Sequence, residues 1–294
     1  MESKFFTAVE IFPNVRRIGG MGGENAYLVE GTERALLIDG LTGVGSLKAF
    51  VRELTELPVQ LVITHGHVDH AGAIYEFGEG YINPDDIALM YSPMHSDPEA
   101  RLNFAKSGAA MGAPLRTTPT MADVIPPRPV KTWPVYDGDV FDLGGGTQLE
   151  VIQVPGHTYG TIILLDRAHR VIYSGDACNV NTLLNLEGST SIEEYRASLE
   201  HLLTYVPDFD HMWGGHGPAP MPSSAVADAI VLCDRILAGT DDAVERQMFG
   251  TAYYASGVDM FELMRQGKPN IAYSREHIRR APRPAIQDGP HYSR

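Results

Sequence analysis

Cysteine is scarce in this 294-residue chain, and several other features are missing. The two cysteines, Cys178 and Cys233, are too few for the disulfide framework of a small secreted domain, and they lack the spacing of a metal site. No apolar run approaches the roughly 20 residues that span a bilayer. Residues 1–14 do not show the basic region, apolar stretch and cleavage site of a signal peptide. These absences predict a cytoplasmic protein with no membrane partner.

Basic residues are also few, since 23 lysines and arginines stand against 37 acidic residues and give a net charge of −14. A surface of this sign repels phosphate backbones. We therefore expect no nucleic-acid partner and a small-molecule substrate. The length and the hydrophobic content of 44% are sufficient for a sizeable core, and we predict a single domain over residues 1–294.

The apolar residues form short runs that alternate with helical patterns. Residues 25–29 and 35–38 predict a β-hairpin, residues 44–57 predict a helix, and residues 59–63 predict a buried strand. A similar block follows residue 135, with strands predicted at 149–154, 161–165, 171–173 and 210–213. A capping box, Ser191 with Glu194, predicts the start of a helix that ends near residue 204. The C-terminal helices, about 223–268, are predicted at 223–238, 241–248 and 258–266.

Residues 83–134 interrupt this alternation. The segment is rich in proline, which argues against regular sheet structure, and only a helical piece is predicted, around 97–111. One interpretation is an inserted lid or wall over the site, and the other is a solvated loop. Both interpretations stay open at this point.

The loop after the strand at 59–63 carries the motif Thr64-His65-Gly66-His67-Val68-Asp69-His70. Histidine is the commonest transition-metal ligand and aspartate supplies an oxygen ligand. In an extended stretch, residues two apart point to the same side. His65, His67 and Asp69 can therefore converge, while His70 takes the position that turns into the next helix. The motif predicts one half of a metal site.

Three further residues occupy equivalent positions downstream. His157, Asp176 and His216 each follow a predicted strand and lie beside a glycine. An isolated histidine in such a place is more often structural than a ligand. Three of these positions in order, behind the first motif, predict the other half of the same site.

This ordered set of residues resembles the metallo-beta-lactamase superfamily over about 10–220, and Asn25-Ala26-Tyr27-Leu28 and Leu37-Ile38-Asp39-Gly40 match its N-terminal strands. The resemblance implies an α+β fold, a four-layer αβ/βα sandwich with metals at one sheet edge. It also implies two metal ions per chain, expected to be Zn²⁺, with Fe or Mn as alternatives. The first ion would be held by His65, His67 and His157 and the second by Asp69, His70 and His216, with Asp176 bridging them.

Details of the motifs are typical of particular branches of the superfamily. Members that hydrolyse beta-lactams usually have Cys or Ser at the position of Asp176, and flavodiiron members usually have Glu at the position of His67. The segment Pro155-Gly156-His157-Thr158 is similar to the glyoxalase II and lactonase branch. The resemblance therefore implies hydrolysis of an ester, thioester or lactone carbonyl by a metal-bridging hydroxide. The alternatives are a mononuclear iron oxidoreductase similar to persulfide dioxygenases, a beta-lactam hydrolase, a nuclease and a scaffold without metal.

Other residues receive expected roles around this centre. Asp69 is expected to shuttle a proton to the leaving group, and Asp39 to orient a ligand histidine. Tyr159 is either a donor to the oxyanion or a packing residue. The predicted substrate pocket contains Cys178, Asn179, Asn181 and Asn185. His95 lies in the 83–134 segment, where it either contacts substrate or, as we expect, has no role at the site. A tail beyond residue 270 is compatible with a homodimer.

Overall fold

Two β-sheets face each other at the centre of the protein, whose structure is a computed structural model that describes residues 1–108 and 117–280. The first sheet has seven strands, which are numbered β1 to β7 along the chain and lie side by side in that order. Its first four strands are antiparallel, and β5, β6 and β7 are added in parallel. The strands are Thr7–Phe12, Val15–Gly19, Asn25–Glu30, Ala35–Ile38, Val59–Val62, Glu79–Ile82 and Lys131–Pro134.

The second sheet has six strands in the order β14-β13-β11-β10-β9-β8. The pair β11 and β13 is parallel, and the other neighbours are antiparallel. The strands predicted from the sequence after residue 148 are confirmed as β9, β10, β11 and β13. The six strands are β8 (Val140–Asp142), β9 (Gln148–Gln153), β10 (Ile162–Asp166), β11 (Val171–Gly175), β13 (His211–Gly214) and β14 (Met221–Pro222).

A third sheet, of four strands, includes the C-terminal region. Its order is β12-β17-β16-β15, from the strands Thr182–Leu184 (β12), Val244–Gln247 (β15), Thr251–Tyr254 (β16) and Ile271–Tyr273 (β17). The helix predicted at 241–248 is therefore wrong, because Val244–Gln247 pairs antiparallel with Thr251–Tyr254. Three of its four residues are exposed, so the segment carries little apolar periodicity from which its structure could be predicted.

The core lies in three layers around the two main sheets. Between the sheets, side chains such as Val29, Ile38, Leu149 and Leu164 interdigitate with 0–1% exposure. A second cluster packs the outer face of the first sheet against helices. A third packs the outer face of the second sheet against the helices that follow Ser191 and Ser224. The four-layer αβ/βα sandwich expected from the sequence is thus confirmed.

The helices begin and end at capping residues that the sequence supplies. Ser46 accepts a hydrogen bond from Ala49 N at the start of the first helix, and Ser191 with Glu194 forms the predicted capping box. No helix within the described residues is both long enough and apolar enough to cross a membrane. The helices α1 to α9 are Leu47–Leu54, Val68–Ala71, Ile74–Phe77, Ile87–Met90, Pro93–Ser96, Pro98–Ser107, Ile192–Leu203, Ala225–Ala238 and Met260–Gln266.

Within the described residues, the proline-rich segment 83–134 contains short helices and, at its end, one strand. It contains α4, α5 and α6, and its last residues, Lys131–Pro134, form β7 at the edge of the first sheet. The expectation that proline excludes sheet here is wrong for β7, because an edge strand tolerates a residue that lacks an N–H donor. Residues 109–116 of the segment lie outside the described residues, as does the tail 281–294, which includes His291.

Candidate metal centre

The seven predicted ligands converge at one end of the two main sheets. His65 and His67 lie in the loop after β5, and Asp69 and His70 lie in the short helix α2 that continues it. The other three follow strands of the second sheet: His157 comes after β9, Asp176 after β11 and His216 after β13. Three groups have their ligand atoms within 4.8 Å of one another, namely His65 with His67 and His157, His65 with His70 and Asp176, and Asp69 with His70 and His216.

In the first group, imidazole nitrogens face one another. His157 donates from Nδ1 to the carbonyl oxygen of Leu183 at 2.7 Å, which leaves a lone pair on Nε2. That atom lies 2.9 Å from His67 Nδ1. His65 Nε2 is buried and has no hydrogen-bond partner among the described residues. A cation bound by all three nitrogens would satisfy these atoms, so the donor set fits a metal ion.

The second group combines carboxylates and imidazoles. Asp69 Oδ2 lies 3.1 Å from His216 Nε2 and 3.5 Å from His70 Nε2. The buried His70 Nε2 has no hydrogen-bond partner in the part of the chain that the structure describes. A mixed set of nitrogen and oxygen donors is the type that Zn²⁺ binds in hydrolytic sites.

Asp176 lies between the two groups. Its Oδ2 atom is 3.6 Å from His157 Nε2, 3.4 Å from His216 Nε2 and 3.9 Å from His70 Nε2. One carboxylate oxygen is therefore close to histidines of both groups. This is the placement expected of a residue that bridges two metal ions.

Asp39 contacts two residues of the segment that carries the first candidate ligands, Thr64 in the loop after β5 and His70 in α2. Its Oδ2 lies 2.8 Å from His70 Nδ1 and accepts a hydrogen bond from Thr64 Oγ1 at 2.9 Å, while Oδ1 accepts one from Thr64 N at 2.7 Å. Thr64 Oγ1 in turn lies 3.1 Å from His65 Nδ1. Asp39 is thus in contact with His70, one of the candidate ligands.

Burial and neighbouring charges set the protonation of the ligands. Burial lowers the pKa of His65, His67 and His157 below the usual range, which favours neutral imidazoles that can bind a metal. Burial alone would raise the pKa of Asp69, but the charges of His70 and His216 hold it well below its usual range. Together, these shifts keep the ligand atoms of the first group neutral and Asp69 ionised.

The pKa of two ligand histidines is shifted in the opposite direction. Burial alone would lower the pKa of His70, but Asp69 and Asp39 raise it well above the usual value. For His216, Asp176 and Asp69 overcome the effect of burial in the same way. Metal binding at these two side chains must therefore displace protons.

His95 is the main residue at the centre that the sequence interpretation missed. It lies in α5, and its ring is 4.9 Å from the ring of His67, with 7% exposure. Val68 N donates to His95 Nδ1 at 3.2 Å, and His95 Nε2 has no partner among the described residues. The helix α5 thus brings His95 against His67, one of the candidate ligands.

Glu24 was also missed. Its side chain is fully buried, Thr42 Oγ1 donates to Oε1 at 3.4 Å, and burial raises the pKa of the carboxyl. A Cβ atom at Gly20 would lie 2.2 Å from Glu24 Oε1, so the glycine-rich turn before Asn25 is shaped around this carboxyl. The two glycine pairs around Met21, at 19–20 and 22–23, were the signal in the sequence.

The predicted pocket residues lie in different environments. Asn179 Nδ2 donates to Asp176 Oδ1 at 3.4 Å, and Tyr159, two residues after His157, is half-buried. Asn181 Nδ2 donates to the Tyr254 hydroxyl at 3.3 Å. Cys178 is 1% exposed and belongs to the core beneath the second sheet.

Two of the predicted pocket residues, Asn181 and Asn185, contact the hairpin formed by β15 and β16. Asn185 Nδ2 donates to the carbonyl oxygen of Met248 at 3.0 Å. Asn181 and Asn185 thus join the segment after Asp176 to the hairpin β15–β16. Two histidines outside the candidate ligand set contact other carboxylates: His169 lies 2.7 Å from Asp166 and His201 lies 3.1 Å from Asp137.

Comparison with curated proteins identifies relatives with hydrolase names. An acyl-coenzyme A thioesterase, MBLAC2 of Gallus gallus, is 28% identical over 192 residues, which cover 62% of this chain and 67% of that protein. MBLAC2 of Homo sapiens is 27% identical over 194 residues, with 62% and 68% covered. The probable metallo-hydrolase YqgX of Bacillus subtilis is 24% identical over 196 residues, with 66% and 85% covered.

Solved structures share the fold at lower identity. A metallo-beta-lactamase from Pontibacter korlensis superposes with a TM-score of 0.56 at 17% identity, covering 78% of this chain and 99% of that chain. A metallo-beta-lactamase family protein from Thermus thermophilus gives 0.52 at 22% identity, with 80% of both chains covered. The family model of the metallo-beta-lactamase superfamily matches residues 19–214, more than half of the sequence, and the chain therefore belongs to this superfamily.

Proposed function

We propose that this protein is a dinuclear metal-dependent hydrolase that cleaves a thioester, or a related ester or lactone, at its carbonyl carbon. The observation that carries the proposal is the position of Asp176 Oδ2 between two groups of ligands, within 3.4–3.9 Å of His70, His157 and His216. His65, His67 and His157 would hold one ion. Asp69, His70 and His216 would hold the other, and Zn²⁺ is the metal that this mixed donor set favours.

When bound, two divalent cations lower the pKa of water toward neutrality and polarise a substrate carbonyl. The protein contributes the arrangement around them. Asp39 fixes the orientation of His70, and Leu183 fixes that of His157, so that the nitrogens needed for binding face inward. Asp69, ionised at neutral pH, is the proposed carrier of a proton to the leaving group, and Tyr159 is the proposed donor to the carbonyl oxygen.

Thioesters are the favoured substrate class because the relatives from Gallus gallus and Homo sapiens carry the name acyl-coenzyme A thioesterase. The presence of Asp69, His70 and His216 beside the first group favours a two-metal hydrolase over a mononuclear iron oxidoreductase, which needs only two histidines and one aspartate. An aspartate at position 176, instead of Cys or Ser, favours an ester-type substrate over a beta-lactam.

We also propose a cytoplasmic location and a small-molecule substrate. Both cysteines are free thiols, as expected in a reducing compartment. The net charge of −14 disfavours binding to nucleic acid. A homodimer remains a prediction, for which the oligomeric state in solution is the measurement.

The test combines metal analysis with a substrate panel. Protein purified without chelators should contain about two zinc ions per chain and should hydrolyse an acyl-coenzyme A thioester in preference to a beta-lactam. Asp176→Ala should lose both the second metal ion and activity. One iron ion per chain without hydrolysis of any ester, thioester or lactone would refute the proposal, as would full activity of Asp176→Ala with normal metal content.

A further inference from the structure

Among the described residues, His216 and His67 lack the outer hydrogen bond that holds the other three candidate ligand histidines. His65, His70 and His157 each have a contact on the nitrogen that faces away from the centre, to Thr64, Asp39 and Leu183. Among the described residues, nothing is hydrogen-bonded to His216 Nδ1. Its side chain is also 31% exposed, whereas those of His70 and His157 are 0–2% exposed. The orientation of His216 therefore depends on its backbone.

That backbone is a tight turn that β3 holds through two residues: the Tyr27 hydroxyl donates to the Gly214 carbonyl oxygen at 2.6 Å, and Asn25 makes the larger set of contacts. Asn25 is 3% exposed at the start of β3. Its Nδ2 donates to the carbonyl oxygens of Gly214 at 3.3 Å and of Gly217 at 2.7 Å. Its backbone N donates to the carbonyl oxygen of Gly215 at 2.7 Å. A single residue thus binds the carbonyls on both sides of His216.

Neighbouring contacts complete this arrangement. Arg17 Nη1 donates to Asn25 Oδ1 at 3.3 Å and to the carbonyl oxygen of Gly217 at 3.1 Å. On the opposite side of the turn, Gly215 N donates at 2.8 Å to the carbonyl oxygen of Gly175, the residue before Asp176. The turn is therefore fixed between the first sheet and the strand that carries the bridging aspartate.

We propose that Asn25 is a positioning residue for His216, and thereby for the second metal ion, with Arg17 as its support. The inference rests on the proposed two-metal function. The amide side chain suits this task because it has two N–H donors and one acceptor, and all three take part in the contacts above. A glycine turn has no side chains of its own to restrict it, so external hydrogen bonds must set its conformation.

The experiment compares zinc retention in four variants of the full chain with that of the wild type. Each protein, as purified with its metal, is dialysed against increasing concentrations of a chelator, and the zinc per chain is measured. His216→Ala defines the effect of losing the ligand itself. Asn14→Ala is the matched control, since Asn14 Nδ2 donates to the Glu30 carbonyl oxygen at 3.0 Å, at the opposite end of β3.

Asn25→Ala should release one zinc ion at a chelator concentration about 10-fold to 100-fold lower than the wild type requires, as is typical when an outer partner of a metal ligand is lost. It should keep the other ion, as should His216→Ala, while Asn14→Ala should retain zinc like the wild type. A general loss of stability would instead release both ions in parallel. Parallel loss, or wild-type retention in Asn25→Ala, would overturn the inference.

Arg17→Met is the fourth variant and serves if Asn25→Ala does not fold. Arg17 is a half-buried strand residue, and its removal leaves the Asn25 amide in place but unsupported. It should release the same single ion with a smaller shift, and release at the wild-type concentration would contradict the inference. If His216→Ala itself retains zinc like the wild type, the proposed function fails together with the inference. If His216→Ala loses zinc but Asn25→Ala and Arg17→Met retain it like the wild type, the inference fails and the proposed function stands.

Discussion

Asp39 Oδ2 and His70 Nδ1 are 2.8 Å apart, and both side chains are almost fully buried. Asp39 also accepts two hydrogen bonds from Thr64, so one carboxylate contacts both His70, a proposed metal ligand, and the loop that follows β5. Its backbone has a φ of 69°, a conformation that asparagine and aspartate tolerate better than most residues. This relationship gives the first prediction.

Asp39→Asn should lower zinc affinity about 10-fold to 100-fold while the fold persists. Asparagine keeps the shape and the left-handed backbone, but its amide can no longer accept from all three donors. The measurement is zinc content against chelator concentration, together with the circular dichroism spectrum. Unchanged zinc affinity in a folded Asp39→Asn protein would show that His70 does not need this carboxylate.

Zinc affinity should rise with pH. His70 and His216 have a raised pKa, so at neutral pH and below both carry a proton in the metal-free protein. Each proton must leave before the nitrogen can bind, and affinity should fall up to about tenfold per proton for each pH unit of acidification. Titration calorimetry in buffers of different ionisation enthalpy would count the released protons. An affinity that is constant between about pH 6 and about pH 8 would contradict this assignment.

Cys178 should be inert toward thiol reagents in the folded protein. It is 1% exposed, and burial raises the pKa of its thiol to about 12, so almost no reactive thiolate exists near pH 8. Cys233 is fully buried and should behave in the same way. Ellman's reagent should detect no thiol before denaturation and both thiols after it. Rapid reaction of Cys178 in the native state would contradict its burial and would place it in the wall of the pocket.

The convergence of the seven candidate ligands could be predicted from the sequence because they lie in the loops that follow strands, where short apolar runs and adjacent glycines mark the position. His95 could not, since its contact with His67 arises only when α5 packs on the loop after β5. The hairpin at Val244–Gln247 was missed for a related reason. Its side chains are mostly exposed, so its strand pairing with Thr251–Tyr254 left no alternating apolar pattern.

The last prediction concerns the segment expected to be a lid or a wall. Arg101 in α6 is fully buried and donates to four backbone carbonyls. Nε binds that of Thr42 at 2.9 Å, Nη1 that of Ile125 at 2.7 Å, and Nη2 those of Gly43 and Gly72 at 2.8 and 3.1 Å. Burial lowers the pKa of Arg101 to about 10, which still leaves it charged at neutral pH.

Removal of this side chain should be severe, because a buried carbonyl without a donor costs about 1–3 kcal/mol. Arg101→Met should lower the free energy of unfolding by more than about 3 kcal/mol, and Arg101→Lys should restore little, since lysine cannot reach several carbonyls at once. The control is Arg52→Met, at an exposed arginine of α1, which should change it by less than about 0.5 kcal/mol. Denaturant unfolding measures all three. Equal stability of Arg101→Met and Arg52→Met would show that these hydrogen bonds do not anchor α6, whereas the expected loss would favour a fixed wall over a mobile lid beside the loops that carry Asp39 and His70.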